Sequence, residues 1–203
     1  MNKLAKVRIV FLGYNARKTK LIHFLKKKNY PVTSLGQEKL RSNYLKKDVQ
    51  IISFGYKNII SKKILEKIKR PPINLHISYL PFNKGSHPNF WSFVDKTPKG
   101  VTIHEIDKGI DTGKIIFQKK ISFKDFQNLT FKKTYLKLIN EIEKLFIKNY
   151  KKLINNNYKI KLTRKKGTYH NKSDLPKNLK SWNTKIGDYL NLNKKKFKIY
   201  SSS

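Results

Sequence analysis

The sequence predicts an α/β fold in which a mostly parallel sheet is flanked by helices. Short apolar segments alternate with segments of helical periodicity through the first half of the chain, and glycine, asparagine or proline follows most of them. Parallel strands need helical crossovers between them, so this alternation indicates a Rossmann-like arrangement. A chain of 203 residues is long enough to bury a core of this kind.

Three apolar segments in the first half have the length and endings of buried strands, at residues 6–13, 49–54 and 73–77. Helices are predicted between them at residues 17–28 and 61–68. In both segments apolar side chains recur at three- and four-residue spacing, and proline follows shortly after.

The second half of the chain predicts two more strands and one long helix. The strands cover residues 100–106 and 114–121, on either side of a turn rich in Asp and Gly. The helix covers residues 128–155, where an apolar stripe of three-four spacing indicates core packing. We expect one domain over residues 1–155 and a basic, partly ordered C-terminal extension over residues 156–203.

The formal net charge of +35 raises the possibility of nucleic-acid binding. Only five of the 47 basic residues are arginine, however, and arginine is the usual reader of phosphates. Residues 74–113 carry four basic and four acidic groups, whereas residues 1–73 have a net charge of +16 and residues 114–203 one of +19. We therefore expect the functional residues to lie in this neutral segment, where a chemical role constrains which residues can occur.

Composition also excludes several classes of protein. The chain has no cysteine, which excludes disulfides, thiolate catalysis and cysteine-based zinc sites. No apolar run approaches the roughly 18 residues of a membrane span, and the basic start lacks the apolar stretch of a signal peptide. We expect a soluble, cytoplasmic protein without a metal, because no histidine pair has a carboxylate at ligand spacing.

Three polar side chains from the neutral segment form the candidate catalytic site. Asn74 and His76 alternate along one strand and so face the same side, near the end where open parallel sheets bind ligands. Asp111 lies in a turn with two glycines that could deliver it to the same place. An amide that stabilises an oxyanion (worth ~3–4 kcal/mol in other enzymes), an imidazole that moves protons and a carboxylate that orients it suit acyl transfer to an amine.

Four ordered motifs resemble the folate-dependent formyltransferases: Asn74–Pro81, Lys84-Gly85, Gly100–Asp107 and Gly109–Gly113. That family includes the glycinamide ribonucleotide, methionyl-tRNA and nucleotide-sugar formyltransferases. The resemblance implies a Rossmann-like formyltransferase fold, a catalytic domain over residues 1–155 and 10-formyltetrahydrofolate as formyl donor. It places the family's catalytic Asn, His and Asp on Asn74, His76 and Asp111. We expect Asn74 and protonated His76 to stabilise the oxyanion, while Asp111 holds His76 and helps to take the proton of the amine, directly or through water. The resemblance also implies a pterin slot lined by Tyr79, Leu80 and Pro81 and by Ile106, Asp107, Gly109 and Ile110.

The acceptor amine has several candidates. Residues 85–91 resemble the small sugar-directed members, so a nucleotide-linked amino sugar is the first choice. Methionyl-tRNA is favoured by the charge, but about 50 residues after the long helix leave no room for the barrel domain of the tRNA-directed members. An inactive, basic RNA-binding protein on the same scaffold is the alternative from another class. His104 is expected to pack in the core, and Tyr169-His170 is a candidate lid.

Overall fold

The computed structural model describes residues 7–45, 48–163 and 166–192. Eight strands are present in these ranges: β1 (Arg8–Gly13), β2 (Val32–Gly36), β3 (Val49–Phe54), β4 (Ile73–His76), β5 (Lys84–Gly85), β6 (Gly100–Glu105), β7 (Ile115–Lys120) and β8 (Tyr169–His170). The α-helices are α1 (Leu21–Lys27), α2 (Lys62–Leu65), α3 (Pro88–Val94) and α4 (Phe131–Ile154). Short 3-10 helices cover Ser42–Leu45, Phe126–Asn128 and Lys172–Asp174, and residues 186–192 are helical.

The central sheet has six strands in the order β2-β1-β3-β4-β6-β7. Its first four strands are parallel, whereas β6 pairs antiparallel with both β4 and β7. This arrangement confirms the predicted fold class, a mostly parallel sheet flanked by helices. Strands β5 and β8 form a separate parallel pair that joins the C-terminal segment to the loop after β4.

Several elements differ from the sequence prediction. Strand β2 was not predicted, because Val32 and Leu35 are its only large apolar residues and it lies at the edge of the sheet. Helix α1 begins at Leu21 rather than at residue 17, because a turn precedes it in which the carbonyl oxygen of Asn15 accepts two backbone hydrogen bonds. Helix α3 was also missed, although Pro88 occupies a first-turn position that suits proline.

Both faces of the sheet are covered by hydrophobic residues. Helix α4 contributes to the larger cluster with the apolar stripe that the sequence predicted, and Leu138, Ile142 and Phe146 are at most 1% exposed. Ile186 and Tyr189 belong to the same cluster. The chain after residue 155 therefore packs on the core of residues 7–154 and forms no separate core within the described ranges.

Candidate active site

Asp111 lies within hydrogen-bonding distance of Asn74 and within ion-pairing distance of His76, so the structure brings the three predicted residues together. The side-chain amide of Asn74 donates to Oδ1 of Asp111 at 3.2 Å. Nδ1 of His76 lies 3.6 Å from Oδ2 of the same carboxylate. Asn74 and His76 are two residues apart on β4 and face the same side of the sheet, so the turn after β6 brings the carboxylate to both of them.

The turn that carries Asp111 has a specific backbone shape. Asp111 has φ +52°, in the left-handed region that aspartate tolerates better than most residues. Gly113 allows the turn to close, because a Cβ atom there would overlap with the carbonyl oxygen of Glu105. Oδ2 of Asp111 also accepts the backbone N–H of Gly85 at 2.8 Å, which fixes the carboxylate against β5.

The environment of Asp111 keeps its carboxylate charged. Burial by itself would raise the pKa, since the side chain is only 10% exposed. The neighbouring His76 and His104 and the N–H of Gly85 outweigh this effect and hold the pKa of Asp111 well below its usual range. Asp111 is therefore a carboxylate, and a weak proton acceptor, at neutral pH.

His76 is buried, and its surroundings favour the neutral imidazole. Its Nε2 lies 3.1 Å from the carbonyl oxygen of Asn83, which only accepts, so the proton is on Nε2 and Nδ1 faces Asp111 without one. Burial lowers the pKa of His76 below its ordinary value of 6.5, although the charge of Asp111 acts in the opposite direction. This protonation state differs from the protonated His76 that the sequence analysis expected.

His104 contacts Asn74 and Asp111 and so belongs to this polar cluster, whereas the sequence analysis expected it to pack in the core. It is 2% exposed, and its Nδ1 donates to the carbonyl oxygen of Glu105 at 2.7 Å. Its Nε2 lies 3.2 Å from the amide nitrogen of Asn74 and 3.4 Å from Oδ1 of Asp111. The antiparallel pairing of β4 with β6 places His104 directly opposite Asn74. The sequence did not reveal this pairing because it gives no register.

A hydroxyl group completes the environment of Asn74. Ser53 lies opposite it on β3 and donates from Oγ to the amide oxygen at 2.9 Å. The amide nitrogen has acceptors in both His104 and Asp111. The amide plane is therefore fixed by hydrogen bonds on both sides, which predetermines where its N–H groups point.

The cluster opens into a cavity of about 1150 Å³. We call residues 54–60 together with Ile106, Asp107, Gly109 and Ile110 the loop wall of this cavity. We call residues 85–90 together with Tyr169, Asn171, Lys172 and residues 181–183 the C-terminal wall. Helix α4 adds Phe131, Lys132, Tyr135 and Ile139 to the lining.

The loop wall contains part of the predicted pterin slot. Ile106, Asp107, Gly109 and Ile110 line the cavity, but none of Tyr79, Leu80 and Pro81 belongs to its described lining. The backbone of Leu80 is already used, because its N–H donates to Thr102 at 3.2 Å and its carbonyl oxygen accepts from Gln118 at 2.7 Å. Residues 54–60, which the sequence analysis did not assign to the slot, line the cavity instead.

The C-terminal segment folds back onto the site, where the sequence analysis suggested a lid at Tyr169-His170. Strand β8 pairs with β5, and the imidazole of His170 stacks on the indole of Trp91 with 3.8 Å between ring centroids. Nε2 of His170 also lies 2.7 Å from Oδ2 of Asp95. These contacts place Tyr169 in the cavity lining.

Two further properties concern the described residues only. None of their helices combines the length and hydropathy needed to cross a bilayer. No group of three or more His, Cys, Asp or Glu side chains in these ranges could hold a metal ion.

Comparison with known proteins identifies the class of protein to which this fold and this cluster belong. Residues 7–148 match the family model described as formyl transferase. The chain belongs to the formyl transferase family, as its motifs indicated.

Among solved structures, the formyltransferase PseJ from Anoxybacillus kamchatkensis is 40% identical, with a TM-score of 0.81 over 90% of this chain and 97% of PseJ. That structure is a complex with UDP-4,6-dideoxy-4-formamido-L-AltNAc and tetrahydrofolate. An N-formyltransferase from Helicobacter canadensis shares the fold at 22% identity and a TM-score of 0.74, over 84% of this chain and 72% of its own.

Curated relatives match over shorter stretches. The methionyl-tRNA formyltransferase of Thermodesulfovibrio yellowstonii is 44% identical over 78 residues, which are 38% of this chain and 25% of that protein. The bifunctional polymyxin resistance protein ArnA of Wigglesworthia glossinidia brevipalpis is 32% identical over 154 residues, or 73% of this chain and 22% of ArnA. The matches thus span about a quarter of the length of these curated relatives.

Proposed function

We propose that this chain transfers the formyl group of 10-formyltetrahydrofolate to the amine of a nucleotide-linked amino sugar. The observation that carries the proposal is the cluster of Asn74, His76 and Asp111, which joins an amide donor, a neutral base and a carboxylate at one cavity. The identity to PseJ over 90% of the chain supports the donor and the class of acceptor.

The loop wall fits the pterin of the donor. It offers apolar surface from Ile60, Ile106 and Ile110. The cavity, at about 1150 Å³, exceeds the roughly 300–1,000 Å³ typical of a site for one small molecule, so it can hold a donor and an acceptor together. When bound, 10-formyltetrahydrofolate would supply a formyl carbon that an amine can attack, and the bond between that carbon and N10 of the folate would break as tetrahydrofolate leaves.

Asn74 is the donor that stabilises negative charge on the formyl oxygen. Its amide orientation is set by Ser53 before any substrate binds, so little reorganisation is needed during the reaction. Its amide nitrogen already has acceptors in His104 and Asp111. One of these hydrogen bonds must be exchanged for the substrate oxygen, which makes His104 and Asp111 the residues that aim the amide.

His76 accepts the proton that the attacking amine loses. Its Nδ1 carries no proton in the resting state, and the low pKa of Asp111 makes the carboxylate a poorer base. Protonation of His76 creates a positive charge 3.6 Å from the ionised carboxylate, which stabilises that charge. The sequence analysis expected Asp111 to help take this proton. The described geometry favours His76 for this role.

A direct assay tests the proposal. Purified chain is mixed with 10-formyltetrahydrofolate and with UDP-linked amino sugars, the corresponding free amino sugars or charged methionyl-tRNA, and loss of the formyl group is followed by folate absorbance. We expect turnover with at least one UDP-linked amino sugar. Absence of transfer to every amine in the panel, by a folded chain that binds the donor, would refute the proposal.

Charged tRNA is the second candidate acceptor. It is favoured by the net charge of +35 and by the 44% identity to a methionyl-tRNA formyltransferase over 78 residues. Salt separates the candidates, because neutralised phosphates make tRNA affinity fall steeply as salt rises. Transfer to methionyl-tRNA with such a dependence, and none to sugars, would replace the first candidate by the second.

A further inference from the structure

The C-terminal wall contains an exposed aromatic side chain on a fixed backbone. The carbonyl oxygen of Trp182 accepts the N–H of Lys132 at 2.8 Å, and that of Thr184 accepts the N–H of Phe131 at 3.3 Å. The start of α4 thus anchors the backbone on both sides of residue 183. The indole of Trp182 nevertheless remains 40% exposed where it lines the cavity.

The indole of Trp182 faces a neutral partner. Its ring centroid lies 5.4 Å from that of His87, with 32° between the two ring planes. Burial and then the nearby charge of Lys172 lower the pKa of His87, so its imidazole is uncharged at neutral pH. The two rings form an uncharged aromatic surface, a kind of surface on which a planar base can stack.

Two lysines accompany this aromatic surface. Lys132 and Lys172 line the cavity, and neither ammonium group has a hydrogen bond or ion pair within the described ranges. Asp107 and Asp111 are the only acidic side chains in the described lining, and neither belongs to the C-terminal wall. This side of the cavity therefore presents two uncompensated positive charges, which suit phosphate oxygens.

A buried acceptor lies in the same wall. Asn89 is 5% exposed, and its amide nitrogen donates to the carbonyl oxygen of Phe131 at 2.9 Å. Its amide oxygen has no hydrogen-bond partner among the described residues. Buried polar atoms without partners are uncommon and costly, so an N–H or O–H group of a ligand would relieve the cost.

We propose that the C-terminal wall, together with Lys132 at the start of α4, forms the nucleotide subsite of the acceptor, in which the base stacks on Trp182 and the diphosphate pairs with Lys132 and Lys172. The inference rests on the proposed function in one respect, that the acceptor carries a nucleoside diphosphate. It adds that recognition of the nucleotide comes from the C-terminal segment and the start of α4, which leaves the cluster around Asp111 to the amine and the formyl group.

The test measures binding of UDP alone, by calorimetry, to the full chain and its variants. Trp182→Ala should weaken UDP binding about tenfold or more, because stacking on an aromatic side chain is lost. Trp182→Phe retains an aromatic ring and should retain most of the affinity. This variant controls for the possibility that Trp182→Ala binds weakly because it misfolds. Equal affinity of the wild type and Trp182→Ala would overturn the inference.

The charge component has a matched control. Lys132→Ala/Lys172→Ala should weaken UDP binding roughly tenfold and reduce its dependence on salt, because two phosphate contacts are lost. Lys133→Ala/Lys177→Ala removes the same charge from exposed positions outside the cavity lining and should bind UDP like the wild type. Equal losses in both double variants would reject the subsite in favour of general electrostatic attraction.

The two proposals fail in different ways. UDP binding that depends on Trp182, in a chain that formylates no sugar nucleotide, would retain the subsite and refute the proposed reaction. Formyl transfer to a free amino sugar as efficient as to its UDP-linked form, without UDP binding, would retain the reaction and refute the subsite.

Discussion

Residues 74–111 and residues 166–192 meet at one cavity, but they contribute to it in opposite ways. The first segment provides buried side chains that hold one another, and the side chains of His76, His104 and Asp111 are at most 10% exposed. The second provides side chains on a backbone that is itself hydrogen-bonded, and Tyr169 and Trp182 remain 43% and 40% exposed.

This difference separates chemistry from recognition. In the first segment, replacing one member of the cluster leaves a buried partner unsatisfied, so its side chains cannot vary one at a time. In the second, backbone hydrogen bonds and the contacts of His170 with Trp91 and Asp95 hold the segment, so exposed side chains such as Tyr169 and Trp182 can vary without displacing it. A chain of this design can change its acceptor without changing its reaction.

The largest expected effect comes from Asp111→Asn, which tests whether the buried cluster carries the chemistry. The neutral amide cannot stabilise a protonated His76, so kcat for formyl transfer should fall by about 10²–10⁴-fold. The measurement is kcat under saturating donor and acceptor, with Asp188→Asn, an exposed site outside the cavity, as control. A loss smaller than about threefold would contradict the catalytic assignment.

Gly85→Ala is expected to have the next largest effect, because it damages both segments at once. Gly85 has φ +84°, and a Cβ atom there would overlap with the carbonyl oxygen of His170. Displacement of β5 should lower kcat/KM for the acceptor by about 10²-fold. Gly36→Ala provides the control, since it shares a positive φ of +55° but has no atom within 4 Å of the added Cβ. If the two variants lost activity equally, backbone strain alone would explain the result.

Asp95→Asn should affect only recognition of the acceptor, and its effect should be smaller than that of Gly85→Ala. It removes the charge that pairs with His170 at 2.7 Å and so loosens the segment that carries Tyr169. We expect KM for the acceptor to rise about two- to fivefold, while kcat and affinity for the donor stay unchanged. A fall in kcat with unchanged KM would place this contact in the chemistry instead.

The smallest effect is a pH dependence that belongs to the buried cluster. Because burial lowers the pKa of His76, NMR titration should place it below 6.5, and Asp111→Asn should lower it further by removing a charge that favours the protonated form. The folded state favours neutral His76, so its contribution to the free energy of unfolding is complete above 6.5 and is lost as the pH falls through the folded pKa. His76→Asn should flatten this part of the stability profile. A pKa above 6.5 would contradict the neutral resting state.

The sequence predicted most of the fold and the centre of the site for the same physical reason. Strands β1, β3 and β4 are buried and apolar, and Asn74 and His76 interrupt that pattern on one face. Their proximity to Asp111 could be expected because the four motifs lie within about forty residues and the turn that carries Asp111 is short.

What the sequence could not reveal depends on pairing between distant segments. His104 looked like a core residue because nothing in the sequence gives the register of β4 against β6. Strands β5 and β8 have only two residues each, too few to show any periodicity, and they join positions 85 residues apart. The C-terminal wall as a whole was therefore visible only in three dimensions, although the sequence indicated Tyr169-His170 as a candidate lid.

Strand β5 has one more consequence. The N–H groups of Lys84 and Ser86 donate to carbonyl oxygens of the C-terminal segment at 3.0 and 2.9 Å, whereas the N–H between them, from Gly85, donates to the carboxylate of Asp111 at 2.8 Å. Successive peptide groups of one short strand thus hold the lid candidate on one side and the reacting centre on the other. A poorly fitting acceptor that pushes the segment outward would tilt the carboxylate as well. Such an acceptor would then be turned over more slowly as well as bound more weakly.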